Sequence, residues 1–142
     1  MTDLPRLALS IRQPWAWAIC HAGKDIENRD WQTPFRGWVC IHAAKGMAKA
    51  EFNGFVDVAR AMNRAGTWAK DVWVPFPADL LRGGIVGVAE IVDCVTESDS
   101  PWFFGRYGFV LRNARHINFI PVRGALGFFD WRAQQTGEPT ND

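Results

Sequence analysis

The sequence predicts an α+β domain: a small curled mixed sheet or barrel of five to six strands with two or three flanking helices. Three observations carry that expectation. Short segments alternate apolar and polar residues, a single long stretch repeats apolar residues at helical spacing, and one β-branched run is apolar almost throughout. Strands that outnumber helices in this way favour a curled sheet over a doubly wound α/β fold.

Taken in order, Leu7, Leu9 and Ile11 alternate with Ala8, Ser10 and Arg12, as in a first strand with one buried face. Pro14 fits the first turn of a helix running from Trp15 to Ala22, which Gly23 stops. Lys24 to Arg29 alternates again as a short strand. Thr33-Pro34-Phe35-Arg36-Gly37 reads as a turn and Trp38 to Ala43 as the next strand. Met47 to Ala65 predicts the longest helix: Ala48, Phe52, Phe55, Ala59 and Met62 form its stripe, and Gly66 ends it. Thr67 to Pro77 is aromatic without a period, a packed loop, and Ala78 to Arg82 fits one helical turn. Ile85 to Val95 predicts a central strand buried on both faces. Tyr107 to Arg112 and Ile117 to Ile120 predict two more strands. The chain reads as one domain over residues 1–142, with its core at about 7–131 and a polar tail at 132–142.

Composition bounds the function. The 142 residues are 48% hydrophobic and 22% charged, ordinary for a globular domain. No apolar run approaches the length of a membrane span and no signal-peptide pattern opens the chain, so no membrane partner is expected. The net charge of +1 implies no whole-molecule attraction to polyanions. The kind of charge is more telling, because 12 of the 16 basic residues are Arg and eight Trp accompany them. Arg forks onto phosphates and stacks on aromatic planes. Cys20, Cys40 and Cys94 are an odd number without close pairing, which points to a reducing, cytoplasmic setting. No CxxC or HxxxH spacing supports a metal, so the thiols are expected to act as small hydrophobes, with no metal and no cofactor.

Several residues carry possible chemistry. On an ideal strand Glu90 shares a face with Val86, Val88, Val92 and Cys94. A carboxylate there needs a partner, with Lys24, Arg12 or Arg29 as candidates; the result is either a structural ion pair or a general acid or base. Strand alternation puts Lys24 and Asn28 on one side and Glu27 and Arg29 on the other, so one pair would face a cavity and the other support it. His42 ends a strand, and Lys45 opens the loop before the long helix, a place suited to phosphate. Trp15, Trp17, Trp31 and Tyr107 are candidate stacking faces. The basic surplus of Arg106, Arg112, Arg115, Arg123 and Arg132 suits a phosphate backbone, or is balanced by Glu90, Asp93, Glu97 and Asp99.

Several segments, taken together and in this order, resemble an ASCH domain, the activating signal cointegrator-1 homology domain of the PUA-like superfamily. They are Leu9-Ser10-Ile11-Arg12-Gln13-Pro14-Trp15, Gly23-Lys24-x-x-Glu27-x-Arg29, Thr33-Pro34-x-Arg36-Gly37, Ile41-His42-Ala43-Ala44-Lys45, Gly84 to Glu90, and Gly124 to Phe128. The resemblance covers roughly Leu7 to Trp131. It implies a PUA-like β-barrel with a cleft walled by the Gln-Pro-Trp, Gly-Lys-x-x-Glu-x-Arg and His-x-x-Lys segments. It also implies binding of nucleic acid, RNA first. The alternative is a metal-independent hydrolase, either a ribonuclease or an amidohydrolase acting on a modified nucleoside. Members that deacylate an acylated cytidine use a Lys, a Thr and a Glu. Lys24 and Glu90 match the first and last, while Glu27 stands where the Thr is expected. A third reading is a protein-interaction adaptor, using an apolar patch around Trp68 and Trp73. The residues expected to do chemistry are Lys24, Glu90, Glu27, Tyr107 and Lys45. Those expected to hold substrate are Ser10, Arg12, Gln13, Pro14, Trp15, Arg29, Trp31, Arg36, His42 and Arg123.

Overall fold

Strands β1 (Leu7–Ile11), β2 (Ile26–Arg29), β3 (Gly37–Ala43), β4 (Gly84–Val95), β5 (Tyr107–Pro121) and β6 (Phe128–Asp130) form one sheet in the computed structural model, which describes residues 3–136. Their spatial order is β2-β5-β4-β3-β1-β6; β1 and β3 are parallel and the other neighbours antiparallel. Helices α1 (Trp15–His21), α2 (Lys49–Ala65) and α3 (Trp131–Thr136) flank it. The α+β curled mixed sheet with flanking helices expected from the sequence is therefore present, as a six-stranded half-barrel.

The curl brings the ends of the sheet together. Arg29 of edge strand β2 donates from Nη2 to the Ser10 carbonyl of β1 at 2.7 Å. Trp31, just past β2, packs edge-on against Phe128 of β6 at 5.8 Å between centroids, and Phe109 of β5 stacks on the same Phe128 at 6.2 Å. Inside the curl lie Leu9, Ile11, Val39, Ile41, Ala89, Ile91, Phe109 and Leu111, sealed on one side by Ala16 and Ile19 of α1. The outer face carries a second core, Ala8, Cys40, Ile85, Val88, Val122 and Phe129, capped by Trp131 of α3. β1 thus buries both faces, which is why Ala8 is as buried as Leu9. A third cluster joins Ala18 of α1 and Ala22 just past its end to Phe55 and Met62 of α2 and to Trp102.

Glycine stops act where the sequence placed them. Gly23 (φ 73°) and Gly66 (φ 78°) take the left-handed conformation that ends α1 and α2. In α2 the buried stripe is Phe55, Ala59 and Met62; Ala48 lies one residue ahead of the helix and is exposed. The turn expected at Ala78 to Arg82 is a 3-10 turn at Pro77–Asp79.

Two expectations are corrected and one strand is added. The strands expected at Tyr107 to Arg112 and Ile117 to Ile120 are one strand, β5. Its polar middle masks the continuity, and register shifts against β4 together with Asn113 at φ 56° absorb the irregularity. The tail expected from 132 begins as helix α3, because Trp131 docks in the outer core and its Nε1 donates to the Pro5 carbonyl at 2.8 Å. The rest of that tail, 137–142, lies outside the described residues. Strand β6 was not anticipated; at three residues it is too short to show a period and is held by pairing with β1.

Candidate functional site: two clefts sharing one ridge

The left-handed turn at Gly23 sends Lys24 back under α1, where its backbone N–H donates to the Ala18 carbonyl at 3.1 Å. Lys24 as a whole is 3% exposed. Its ammonium donates to the Ile26 carbonyl and lies 3.3 Å from Glu27 Oε1. On its other oxygen Glu27 accepts from Arg29 Nε at 2.9 Å. Because Lys24 precedes β2, strand alternation does not govern it, and it joins Glu27 instead of facing away as expected. Asn28, which also lines the cleft that these residues face, donates to the Trp102 carbonyl at 2.9 Å and accepts from the Phe104 N–H at 2.8 Å. Burial pushes the Lys24 ammonium below its ordinary value of 10.5; Glu27 opposes that shift and Arg29 adds to it.

This Lys–Glu–Arg triad, with Lys24 and Glu27 buried and Arg29 half-buried, faces an aromatic cleft of about 650 Å³. Trp15 lies against Lys24, with Nζ 5.9 Å from the ring centroid, and Arg29 sits 6.0 Å from the ring of Trp31. Phe104 and, from α2, Glu51, Gly54 and Val58 complete the walls. Trp31 is 38% exposed, so part of its ring system is available to a ligand.

Arg12 forms the rim. Glu51 grips its guanidinium with two bonds of 2.6 Å and also accepts the Ala48 N–H at 2.7 Å, which fixes the rim to the start of α2. The Glu51 carboxyl is held below its usual value by that guanidinium.

Beyond Ser10 and Arg12 lies a second cleft of about 690 Å³, with His42 in its wall. His42 is buried between two partners. Nε2 lies 2.7 Å from the Val122 carbonyl and Nδ1 2.9 Å from the Ser10 hydroxyl. A carbonyl only accepts, so Nε2 carries the proton and Nδ1 accepts from Ser10. Burial lowers the His42 pKa, partly opposed by the bond to Val122. The unfolded chain therefore takes up the second ring proton, the one that would go to Nδ1, near 6.5 and the folded chain at a lower pH. The stabilising contribution is complete above 6.5 and is lost as pH falls through the folded value. His21, lowered by burial and by His116, has the same sign. Thermal melts between about pH 7.5 and about pH 5 are expected to fall more steeply for the native protein than for His42→Leu. Parallel curves would mean that His42 is not the group responsible.

The expected site residues divide as follows. Ser10, Arg12, Trp15, Lys24, Glu27, Arg29 and Trp31 line the aromatic cleft, and His42, Lys45 and Arg123 line the second. Gln13 is buried, donating to the Leu81 carbonyl and accepting the Trp17 N–H, each at 2.8 Å, and beside it Pro14 is buried at the start of α1; both brace that helix. Arg36 turns onto the Thr33 carbonyl at 2.9 Å and lies 3.7 Å from Asp93, away from both clefts. Tyr107 pairs with Arg29 in the β2–β5 register, and its hydroxyl is met by Arg106 at 3.5 Å; it lines neither cleft.

Glu90 departs most from expectation. It pairs across the ladder with Trp38, on the face of β4 that carries Val88, whereas Ala89 and Ile91 point inward. Val86, expected on its face, is on the inner one, because the register shifts between Ile85 and Gly87. The Glu90 carboxylate is half-buried and accepts from Asn113 at 3.3 Å; among the described residues it pairs with none of Lys24, Arg12 or Arg29. Arg82, Glu51 and Phe104 join the clefts without having been singled out, since only the folded topology brings them there.

Burial raises the Cys20 and Cys40 thiols to about 12, so both stay protonated. Trp68 packs against Phe55 and Trp102, while Trp73 and Phe76 are 87% and 77% exposed.

The ASCH domain model matches residues 9–118, which include the whole lining of the aromatic cleft. The chain belongs to the ASCH family. Activating signal cointegrator 1 of Homo sapiens is 33% identical over 110 residues, covering 68% of this chain and 18% of that protein. The Mus musculus protein of the same name is 32% identical over 90 residues, covering 63% and 14%. This ASCH chain therefore spans less than a fifth of the length of the curated relatives it matches.

Proposed function

We propose that this ASCH domain binds single-stranded nucleic acid, RNA in the first place, and takes one unstacked base into the aromatic cleft. The observation that carries the reading is the buried Lys24–Glu27 pair, joined by the half-buried Arg29, in one cleft with the Trp15 and Trp31 rings. Flat walls suit a base face, and donors and acceptors held rigid by burial suit its edge. The cleft volume of about 650 Å³ suits a ligand of nucleotide size.

Of the five residues expected to do chemistry, only Lys24 and Glu27 line this cleft. Lys45 lies in the neighbouring one, Tyr107 in neither, and Glu90 on the outer face. A Lys24–Glu90 hydrolase pair is therefore not assembled, which favours binding over turnover.

Fluorescence anisotropy with labelled single-stranded and duplex RNA and DNA tests the reading. Single-stranded RNA is expected to bind best. Trp31→Ala is expected to weaken binding by about 1–3 kcal/mol, roughly five- to 150-fold, while Trp31→Phe keeps most of the affinity because it keeps a stacking face. Failure of every strand to bind at low salt sinks the proposal.

A further inference from the structure

The second cleft has a different electrostatic character from the first. The aromatic cleft sets Arg12, Lys24 and Arg29 against Glu27, Asp30 and Glu51, whereas the second is lined by Arg12, Lys45, Arg82 and Arg123 with no carboxylate. Arg12 is already answered by Glu51. Lys45 and Arg82 are not: among the described residues neither takes part in an ion pair. They are nonetheless held side by side, because Arg82 Nη1 donates to the Lys45 carbonyl at 2.6 Å. Two unanswered cations in a concavity concentrate positive potential where an anion can enter.

The backbone around them is kept bare. A Cβ on Gly46 would lie 3.2 Å from an Arg12 guanidinium nitrogen, and one on Gly124 would lie 2.9 Å from His42 Cε1 and 3.1 Å from the Ser10 hydroxyl. His42 uses both ring nitrogens on Ser10 and Val122, so it braces this wall and leaves the charge to the cations. The wall at Val122–Gly124 lies outside the residues matched by the family model. Ser10 and Arg12 line both clefts, so one ligand can occupy the two together across that ridge.

We propose that the second cleft holds a backbone phosphate of the same strand whose base occupies the aromatic cleft. Lys45 and Arg82 are the principal phosphate contacts and Arg12 is the divider between the two clefts. This rests on the aromatic cleft being a base site. Inorganic phosphate offers the same charge, but only a strand fills both clefts.

The test is the salt dependence of binding for a short single-stranded RNA. Removing one cation that neutralises a phosphate of a single strand is expected to lower the slope of log K against log salt by about 0.7. Lys45→Ala is therefore expected to remove about 0.7, and Lys45→Ala with Arg82→Ala about 1.4, with affinity falling alike for all sequences. Lys45→Arg with Arg82→Lys, which keeps both charges, is expected to keep the slope, as is Trp31→Ala. The single Lys45→Ala variant keeps the test decisive if removing Arg82 disturbs folding. Inorganic phosphate, at matched ionic strength, is expected to compete far more weakly than unlabelled strand. A bound strand whose slope is unchanged in Lys45→Ala overturns this proposal alone. Competition by phosphate as strong as by strand also overturns it, in favour of a free-anion site. Failure of every strand to bind overturns the base site and this proposal together.

Discussion

Glu27→Gln is expected to destabilise the folded domain by about 3–5 kcal/mol, the cost of breaking a buried ion pair from one side. Glu27 stands between two cations, with Lys24 Nζ 3.3 Å from one oxygen and Arg29 Nε 2.9 Å from the other. Its side chain is only 9% exposed and that of Lys24 2%, so water cannot replace the missing charge. The glutamine is nearly isosteric, which separates the loss of charge from any loss of packing. A buried lysine without its counter-charge can give up its proton, and Lys24 is already below its ordinary 10.5 through burial. In the window between that lowered value and 10.5 the unfolded chain binds more protons than the folded one, so stability rises with pH there. Removing Glu27 lowers the folded value further and widens the window. The deficit of the variant is therefore expected to be largest near neutral pH and to narrow toward pH 10.5. Urea unfolding across this range measures it, with Lys24→Met, Glu27→Gln as the partner variant. If the triad is coupled as described, the double variant costs less than the sum of the singles. A Glu27→Gln deficit below about 1 kcal/mol, or one that ignores pH, would mean that the triad is not sealed from water.

The same triad illustrates what the sequence made legible. Trp15, Lys24, Glu27, Arg29 and Trp31 lie in one continuous stretch of chain, and a turn at Gly23 and a four-residue strand are enough to bring them together. Local pattern reaches that far. It also reached β1, β3, β4 and the two longer helices, each marked by its own local pattern or apolar run and, for the helices, a glycine stop. It did not reach Arg82 or the Gly124 loop, whose neighbours come from far along the chain. Nor did it reach β6, which exists through Leu7, Ala8 and Leu9 of β1. Glu90 fails for another reason. Alternation assigned it correctly to the face of Val88, but not which face of the curled sheet that is. In a half-barrel one face is core and the other only partly covered, and closure decides between them. That decision lies in contacts such as Arg29 to Ser10, across the ends of the sheet.

Helix α2 is anchored through Phe55 on α1, Trp68 and Trp102, and Phe55→Ala is expected to reveal that anchoring through two readouts. Only Phe55, Ala59 and Met62 of this seventeen-residue helix are buried, so one ring supplies the largest share of its anchoring volume. That ring is wholly buried and meets four indoles: Trp15 at 5.2 Å, Trp17 at 6.0 Å, Trp68 at 6.1 Å and Trp102 at 6.5 Å between centroids. Truncation is expected to cost about 3–5 kcal/mol, since four rigid rings cannot collapse into the space. The second readout is nucleic-acid affinity. Phe55 is not in the lining of the aromatic cleft, yet its neighbours Gly54 and Val58 are, and Glu51, one turn earlier, grips Arg12 on the ridge. A loosened helix frees that ridge to move. Affinity for single-stranded RNA is therefore expected to fall in Phe55→Ala at temperatures where the variant is still folded. Phe55→Leu, which refills much of the volume, is expected to recover part of both losses. Glu51→Ala isolates the second step: it is expected to weaken binding with a much smaller change in stability, because the Arg12–Glu51 pair lies near the surface. If Phe55→Ala loses stability while affinity holds, the ridge is positioned by β1 alone and α2 is a passive cover.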